Sequence, residues 1–121
     1  MIRVLAQYVK DLSFENPGLF TAQQGASAPE IELGIDVKVE PGPPAEHIFS
    51  VELRLSARAK RQDAVVFICE LVYAGVVQLQ DATREDVEPM LLIECPRLLF
   101  PFARRIIADV TREGGHPPLM I

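Results

Sequence analysis

The sequence contains no tryptophan, only two cysteines and two histidines, and no long run of apolar residues. Cys69 and Cys95 have no CxxC spacing and no neighbouring histidine. That pattern predicts neither a disulfide framework nor a metal site, and it is typical of a reducing compartment. No apolar stretch approaches the roughly 18 residues of a membrane span, and the N-terminus has no signal-peptide pattern. These absences predict a cytoplasmic protein without direct membrane insertion.

Basic residues are outnumbered, because 12 Lys and Arg stand against 17 Asp and Glu and the formal net charge is −5. Residues 95–121 carry four arginines against one Asp and one Glu, so their net charge is +2 and residues 1–94 carry the remaining −7. Binding to a nucleic-acid backbone needs clustered Lys and Arg, so this acidic body argues against a nucleic-acid partner. It is compatible with a cationic protein partner.

The length of 121 residues is that of a single domain, residues 1–121. Apolar and polar residues alternate along four segments, which predicts strands at 4–15, 30–40, 49–60 and 64–79. The short polar connection at 61–63 predicts a hairpin between the last two strands. One-sided alternation is typical of an antiparallel sheet with one face in water. Gly75 is expected to mark a bend or bulge in the last strand.

A polar segment of small residues, 16–29, separates the first two predicted strands. Loops of this length inside a compact domain are unusual and are often functional. Leu19 and Phe20 are its only large apolar residues. They either plug the core beneath the loop or form part of a binding surface.

The C-terminal region predicts one main helix, which begins at Phe102 and ends at Gly114 and Gly115. Phe102, Ile106 and Val110 are spaced i, i+4, i+8 and form its apolar side. Pro96 predicts a break between this helix and a shorter one over 86–93, for which Asp86 would be the N-cap. A sheet with one apolar face needs a cover, so the main helix should pack on it and give an α+β fold. The width of the apolar stripe suggests assembly with a further sheet.

No arrangement of residues in the sequence predicts catalysis. His47 and His116 lie beside loop signals about 70 positions apart, so they favour neither a catalytic nor a metal pair. The serines lack a nucleophile-elbow context and a partner base. Cys69 and Cys95 have apolar neighbours, which favour inert buried thiols. The chain is therefore expected to be a non-enzyme that needs no cofactor.

Asp11, Glu15 and Glu70 project from strands whose alternate residues are apolar, so they share the wet face if those strands are neighbours. Acids in this position usually form only a solvated face. Ile68 and Val72, however, flank Glu70 on the same face, and apolar residues around exposed acids are typical of a docking surface.

Three segments resemble the SecB family of bacterial export chaperones, in order along nearly the whole chain. They are Lys10–Pro17 (KDLSFENP), Phe67–Gly75 (FICELVYAG) and Glu94–Leu119 (ECPRLLFPFARRIIADVTREGGHPPL). The long form of the last segment is similar to the alphaproteobacterial branch. This helical segment is the most specific of the three.

The resemblance implies a four-stranded antiparallel sheet that is packed on a C-terminal helix. A long crossover loop would connect strands one and two. It also implies a homotetramer, a dimer of dimers in which long helices lie between two sheets. Phe102, Ile106 and Val110 are the expected oligomer interface. Their wide apolar stripe would be covered in that assembly.

The resemblance further implies a holdase that binds unfolded preproteins in surface grooves and delivers them to the SecA translocase motor. The family's motor-docking positions correspond to Asp11, Glu15, Ile68 and Glu70. Zinc in that complex belongs to the motor's C-terminal tail, so this chain would hold no metal. Leu19 and Phe20, as the large apolar residues of the loop, are the expected wall of the client groove.

Two departures from the family pattern accompany the resemblance. Ala28 precedes Pro29 where the family usually has a tryptophan, so aromatic lining of the groove should be reduced. Family members also continue beyond the Pro-Pro-Leu stretch into a second helix and a tail, so we expect residues 1–121 to be a C-terminally truncated chaperone domain.

Two other functions fit the same pattern. One is a SecB-like chaperone dedicated to a single client such as an antitoxin, although such a protein need not keep the docking acids. The other is a small lipid- or ligand-binding α+β domain, which predicts a closed apolar pocket within one protomer and no stable tetramer.

Overall fold

Four long antiparallel strands and a C-terminal helix make up the structure, a computed structural model that describes residues 1–22 and 28–121 of the chain. The elements are β1 (Ile2–Glu15), α1 (Leu19–Ala22), β2 (Glu30–Pro41), β3 (Ile48–Arg61), β4 (Ala64–Leu79), α2 (Arg84–Pro89) and α3 (Cys95–Glu113). A 3-10 turn (Pro44–Glu46) precedes β3, and a π-helical turn (Met90–Glu94) joins α2 to α3. No helix in the described ranges is long and apolar enough to cross a membrane.

The strands form one sheet in the order β1-β4-β3-β2, with every neighbouring pair antiparallel. The predicted four-stranded sheet and the hairpin between β3 and β4 are therefore confirmed. Because β1 and β2 are the two edge strands, the connection at 16–29 runs from one edge of the sheet to the other. Part of that predicted loop, residues 23–27, lies outside the described residues.

The core lies on the side of the sheet that faces α3. Side chains of β3 are buried there at every second position, as the alternation predicted: Val51, Leu53, Leu55, Ala57 and Ala59. Their register partners in β4 continue the same layer: Phe67, Cys69, Leu71, Tyr73 and Gly75. The two central strands thus supply most of the sheet's contribution to the core, and apolar burial of this kind is the main source of folding free energy.

The helical segment is longer than predicted, because α3 begins at Cys95 and Pro96 does not interrupt it. Cys95 N–H donates to the Met90 carbonyl, five residues back, which is the hydrogen bond of a π turn. This turn carries the chain from α2 into α3, and Pro96 then lies in the first turn of α3, where a missing N–H has little cost. The predicted break and the predicted start at Phe102 were both wrong.

Pro101 lies in the interior of α3 and leaves the Arg97 carbonyl without its usual intrahelical donor. Both residues are on the exposed side of the helix, so water can satisfy that carbonyl. The prediction for the shorter helix also needs correction, because Thr83, not Asp86, is its N-cap. The Asp86 carboxylate accepts hydrogen bonds from the Thr83 hydroxyl at 2.8 Å and from its backbone N–H at 3.4 Å.

Helix α3 packs on β3 and β4 through a stripe of buried residues: Cys95, Leu99, Ala103, Ile107 and Thr111. Gly75 forms no bulge, contrary to the prediction, since it pairs in register with both neighbouring strands. Its role is to admit Leu99, because a Cβ at this position would lie 3.0 Å from the Leu99 Cδ2. A Cβ here would require Leu99 to shift by a few tenths of an ångström, so glycine permits a close approach of the helix to the sheet.

Candidate functional site

Residues Asp11, Glu15, Ile68 and Glu70, which we name the acidic face, lie together on the side of the sheet away from α3. The register pairs in β1 and β4 are Asp11 with Val72, Ser13 with Glu70 and Glu15 with Ile68. The three carboxylates are exposed and Ile68 is half-buried. Residues two apart along a strand are about 6.6 Å apart and neighbouring strands about 4.8 Å, so the four side chains form one continuous patch, as predicted.

In the described part of the chain, the carboxylates of the acidic face are not engaged in ion pairs, although two arginines lie near them. Within residues 1–22 and 28–121, none of its three carboxylates has an ion-pair partner within 4.0 Å. Arg54 and Arg58 of β3 lie on the same side of the sheet, beside Val72 and Ile68. Arg54 is directed to another acid, Glu52, at 3.1 Å. The arrangement can attract a cationic partner and offers Ile68, the register partner of Glu15, as an apolar contact at one end of the patch.

Glu52 is a functional candidate that sequence analysis missed. Its side chain is only 1% exposed although it lies on the polar side of β3, and among the described residues it is the one buried carboxylate. It accepts hydrogen bonds from Lys10 Nζ at 2.7 Å and from Arg54 at 3.1 Å. The hydrogen bond from Lys10 is the main cause that lowers the pKa of Glu52, against the opposing effect of burial.

A second candidate site is a pocket of about 440 Å³ beside the end of α3, which we name the terminal pocket. Its walls come from the segment after β1, the start of β2, the β3–β4 turn and the residues that follow α3. The lining residues are Leu19, Ala28, Pro29, Ile31, Arg61, Val66, Phe67, Gly115, His116, Pro117, Pro118 and Leu119. The lining is mostly apolar, with Arg61 and His116 as its polar members.

Leu19 lines this pocket, whereas its neighbour Phe20 does not. Leu19 is half-buried and forms a wall, and its Cδ2 atom is 3.0 Å from where a Cβ on Gly115 would lie. Gly115 also has φ +87, a conformation that favours glycine. Phe20 is 86% exposed, so it is not a plug of the core. A large aromatic side chain left in solvent beside an apolar pocket is available to contact a ligand.

The chain after α3 is held in place by hydrogen bonds to its own helix and to β1. The buried Thr111 hydroxyl donates to backbone carbonyls of α3 and accepts from the Leu119 N–H at 2.9 Å. Asn16 donates its side-chain N–H to the Gly114 carbonyl at 2.8 Å. The Asn16 amide oxygen is then left facing His116 Nε2 at 2.7 Å, so this nitrogen carries a proton and donates it. These bonds hold the pocket wall against the sheet.

His116 is surrounded by groups that favour its neutral form. Its ring lies 4.9 Å from that of Phe67, and burial lowers its pKa from the usual value, with the positive charge of Arg61 acting in the same direction. His47 is exposed in a left-handed turn conformation, φ 54, at the other end of the sheet. The two histidines are therefore not brought together, in agreement with the sequence analysis.

The two cysteines are buried and not paired with each other. Burial raises the pKa of both thiols, that of Cys95 to about 11, with nearby glutamates acting in the same direction. They are therefore protonated at neutral pH and poor nucleophiles. The described ranges contain no group of three or more side chains arranged to hold a metal ion.

The residues predicted for the oligomer interface lie beside the buried stripe of α3. Phe102 is 43% exposed and stacks on Tyr73 at 6.2 Å between ring centroids, while Ile106 and Val110 are half-buried. Further large apolar side chains are exposed on the same side of the sheet, in β1 and β2: Val4, Val9, Leu12, Ile31, Leu33 and Ile35. Exposed apolar area of this extent is typical of a surface that meets another protein.

The fold is that of SecB-like domains. It is similar to a SecB-like chaperone from Mycobacterium tuberculosis solved in complex with a ChAD peptide from the HigA1 antitoxin. The TM-score is 0.80, and the match covers 99% of this chain and 88% of that chain. Because the sequences are 18% identical, this likeness concerns the fold alone.

Sequence comparison is more specific. The family model described as preprotein translocase subunit SecB matches residues 1–121. Protein-export proteins SecB of Hyphomonas neptunium and Maricaulis maris are 61% and 57% identical over 99% of this chain, and the matches cover 70% and 69% of those proteins. The chain belongs to the SecB family of protein-export chaperones, so the predicted resemblance is confirmed.

Acidification should weaken the attachment of the terminal segment through His116. The folded-state pKa lies below the ordinary 6.5, so the unfolded chain binds this proton more readily. The stability that neutral His116 contributes is therefore complete above pH 6.5 and is lost as the pH falls through the folded-state pKa. Urea unfolding at about pH 7.5 and about pH 5.5 measures this change.

A His116→Gln variant is the matched comparison, because it keeps a side-chain N–H for Asn16 and cannot titrate. It should lose less stability than the parent between the two pH values. Equal losses in the two proteins would show that His116 is not responsible.

Proposed function

We propose that this chain is a cytoplasmic holdase that binds unfolded preproteins and delivers them to the SecA motor for export. The observation that carries the proposal is the separation of two surfaces on one sheet. The terminal pocket and the exposed apolar residues lie on the side of α3, and the acidic face lies on the opposite side. A chaperone that transfers a client must hold it while docked to the motor, and two separate surfaces permit both contacts at once.

Client binding is assigned to the terminal pocket together with Leu19 and Phe20. A holdase must accept many sequences, so its contacts should be apolar and adaptable and should not demand one particular residue. The apolar walls given by Ile31, Phe67 and Leu119 meet this requirement. Burial of Phe20 against a client would stabilise the complex by about 1.5–3 kcal/mol.

Docking to the motor is assigned to the acidic face. Its three free carboxylates and the apolar Ile68 suit the basic, zinc-bearing tail that the family relationship implies as the partner. The zinc belongs to that tail, and no metal or other cofactor is proposed for this chain. Exposed ion pairs contribute only about 0.2–1 kcal/mol each, so the binding should be collective and sensitive to salt.

Assembly into a homotetramer, a dimer of dimers, is proposed from the apolar residues that one protomer leaves uncovered. Phe102, Ile106 and Val110 lie beside the part of α3 that packs on its own sheet. A second layer placed over this stripe would bury it, with about 1.5–3 kcal/mol for each large side chain that becomes fully covered. We propose residues 1–121 as a single chaperone domain within this assembly.

The alternative of a small lipid-binding domain is less well supported. Such a domain would have a closed apolar pocket, whereas the terminal pocket is open along one side. Large apolar residues such as Phe20 and Ile35 are exposed and do not line a closed cavity. A chaperone dedicated to one client would share the fold. The relatives at 57–61% identity are protein-export proteins, which favours the export function.

The client assignment predicts that the double variant Leu19→Ser/Phe20→Ser holds unfolded chains less well, because both apolar contacts are lost. Suppression of the refolding of an unfolded preprotein measures the affinity. The Phe20→Ser change alone should weaken holding without changing the urea midpoint, since this side chain is already 86% exposed.

Phe20→Leu is the matched control and should keep most of the affinity because it preserves an apolar contact. If the double variant holds the client as well as the parent, Leu19 is only a wall of the fold and the client binds elsewhere.

The docking assignment predicts that Asp11→Asn/Glu15→Gln/Glu70→Gln weakens binding of the motor's zinc-bearing tail by about 0.6–3 kcal/mol in total. Client holding should remain unchanged. Titration calorimetry with the tail peptide at low salt measures the loss.

The control triple variant Glu46→Gln/Glu85→Gln/Glu88→Gln changes the net charge equally, at exposed acids outside the acidic face. It should have a much smaller effect. Equal affinities for the parent and the acidic-face variant would show that these residues form only a solvated surface and do not dock the motor.

A further inference from the structure

The register of strand β1 is shifted at two places, and the second shift is an extra residue immediately before the acidic face. Val9 pairs with Tyr73 and Asp11 pairs with Val72, which leaves Lys10 without a register partner in β4. This is a β-bulge, in which two residues of one strand oppose one residue of the other. Lys10 and Asp11 consequently both lie on the side away from α3.

The bulge is required by the pattern of the strand. Val9 faces α3, and strict alternation after it would turn Asp11 towards the helix and Leu12 and Phe14 towards the outside. One extra residue corrects this, so that Leu12 and Phe14 face the helix. These apolar residues require an extra residue before Leu12, but they do not determine whether it is Lys10 or Asp11. If Asp11 were the extra residue, Lys10 would become the partner of Val72 and Asp11 would lose its defined position.

Lys10 makes a contact that separates these two registers. Its ammonium group reaches across β4, over the fully buried Ala74, to the carboxylate of Glu52 in β3 at 2.7 Å. Glu52 is nearly inaccessible, and a buried carboxylate that loses a partner is strongly destabilised. The lowered pKa of Glu52 agrees with a persistent pair.

We propose that Lys10 and Glu52 are positioning residues for motor docking: their ion pair selects Lys10 as the bulged residue and thereby sets the direction of Asp11 on the acidic face. The inference rests on the docking role proposed above for Asp11. Lys10 itself need not touch the motor. This positioning role explains why the cation Lys10 lies beside an acidic docking surface. By its charge alone, Lys10 would repel a basic partner.

The sign of one substitution separates this role from simple electrostatics. Lys10→Met keeps much of the side-chain volume and removes a positive charge close to the acidic face. Electrostatics alone predicts tighter binding of the basic, zinc-bearing tail peptide. Positioning predicts weaker binding, by about fivefold, which is the upper range for one exposed ion pair. Titration calorimetry at low salt distinguishes the two.

A double-mutant cycle tests whether the effect passes through Asp11. Lys10→Met and Asp11→Asn should each lower the affinity for the peptide by a similar factor. The double variant should bind the peptide no more weakly than Asp11→Asn alone. Lys10→Arg should restore binding because it can again reach Glu52. The control is Lys60→Met, which removes a partly exposed cation on the same side of the sheet whose partner is Glu32. It should leave the affinity unchanged or slightly higher.

The outcomes have separate meanings. If Asp11→Asn has no effect, the docking role of Asp11 fails and the positioning role fails with it. If Asp11→Asn weakens binding while Lys10→Met leaves it unchanged or tightens it, only the positioning role is overturned. Additive losses in the double variant would also overturn it.

Discussion

A single helix must cover a four-stranded sheet, and the rest of the structure depends on this mismatch of width. An α-helix with its side chains is about 10–12 Å across, whereas four strands spaced by about 4.8 Å span roughly 14 Å between their outer axes and more with the side chains. Helix α3 therefore buries β3 and β4, where Leu53 and Leu71 are almost inaccessible. On the edge strand β2, Leu33 and Ile35 remain 53% and 62% exposed on the same side. One chain thus folds around a complete central core and leaves apolar side chains exposed beside α3 and on the edge strands β1 and β2. We call these exposed side chains the apolar margins.

Those margins and the polar side of the sheet can serve different partners because strand alternation separates them. In β1, Leu12 and Phe14 face the helix while Ser13 and Glu15 face away from it. The same pleat therefore supplies apolar area on one side, where we propose that clients and other copies of the chain bind, and charge on the other, where we propose that the motor docks. The buried Glu52, held by Lys10 and Arg54, joins β3 to the edge strand on the charged side. The buried centre of the sheet separates the two surfaces.

The sequence was sufficient to predict the four strands, the wet and apolar sides of the sheet and the clustering of the acids, because a period of two is a local signal. It misplaced the start of α3 because Pro96 normally ends a helix, and only a preceding π turn puts it in a permitted position. It placed a bend or bulge at Gly75, whereas the register shifts lie at Leu5 and Lys10 in β1 and at Val66 in β4, and it missed Glu52. The register shifts and the burial of Glu52 both depend on contacts between strands that are far apart in the sequence, such as the contact of Lys10 with Glu52. The alternation within one strand carries no information about such contacts.

The claim that other copies of the chain cover the apolar margins is tested most directly by the mass of the protein in solution. Static light scattering at micromolar concentration measures it without a partner or a label. We predict a mass of about four times the 13.4 kDa of one chain. A mass of about 13.4 kDa, with the margins of β1, β2 and α3 left in water, would contradict the account.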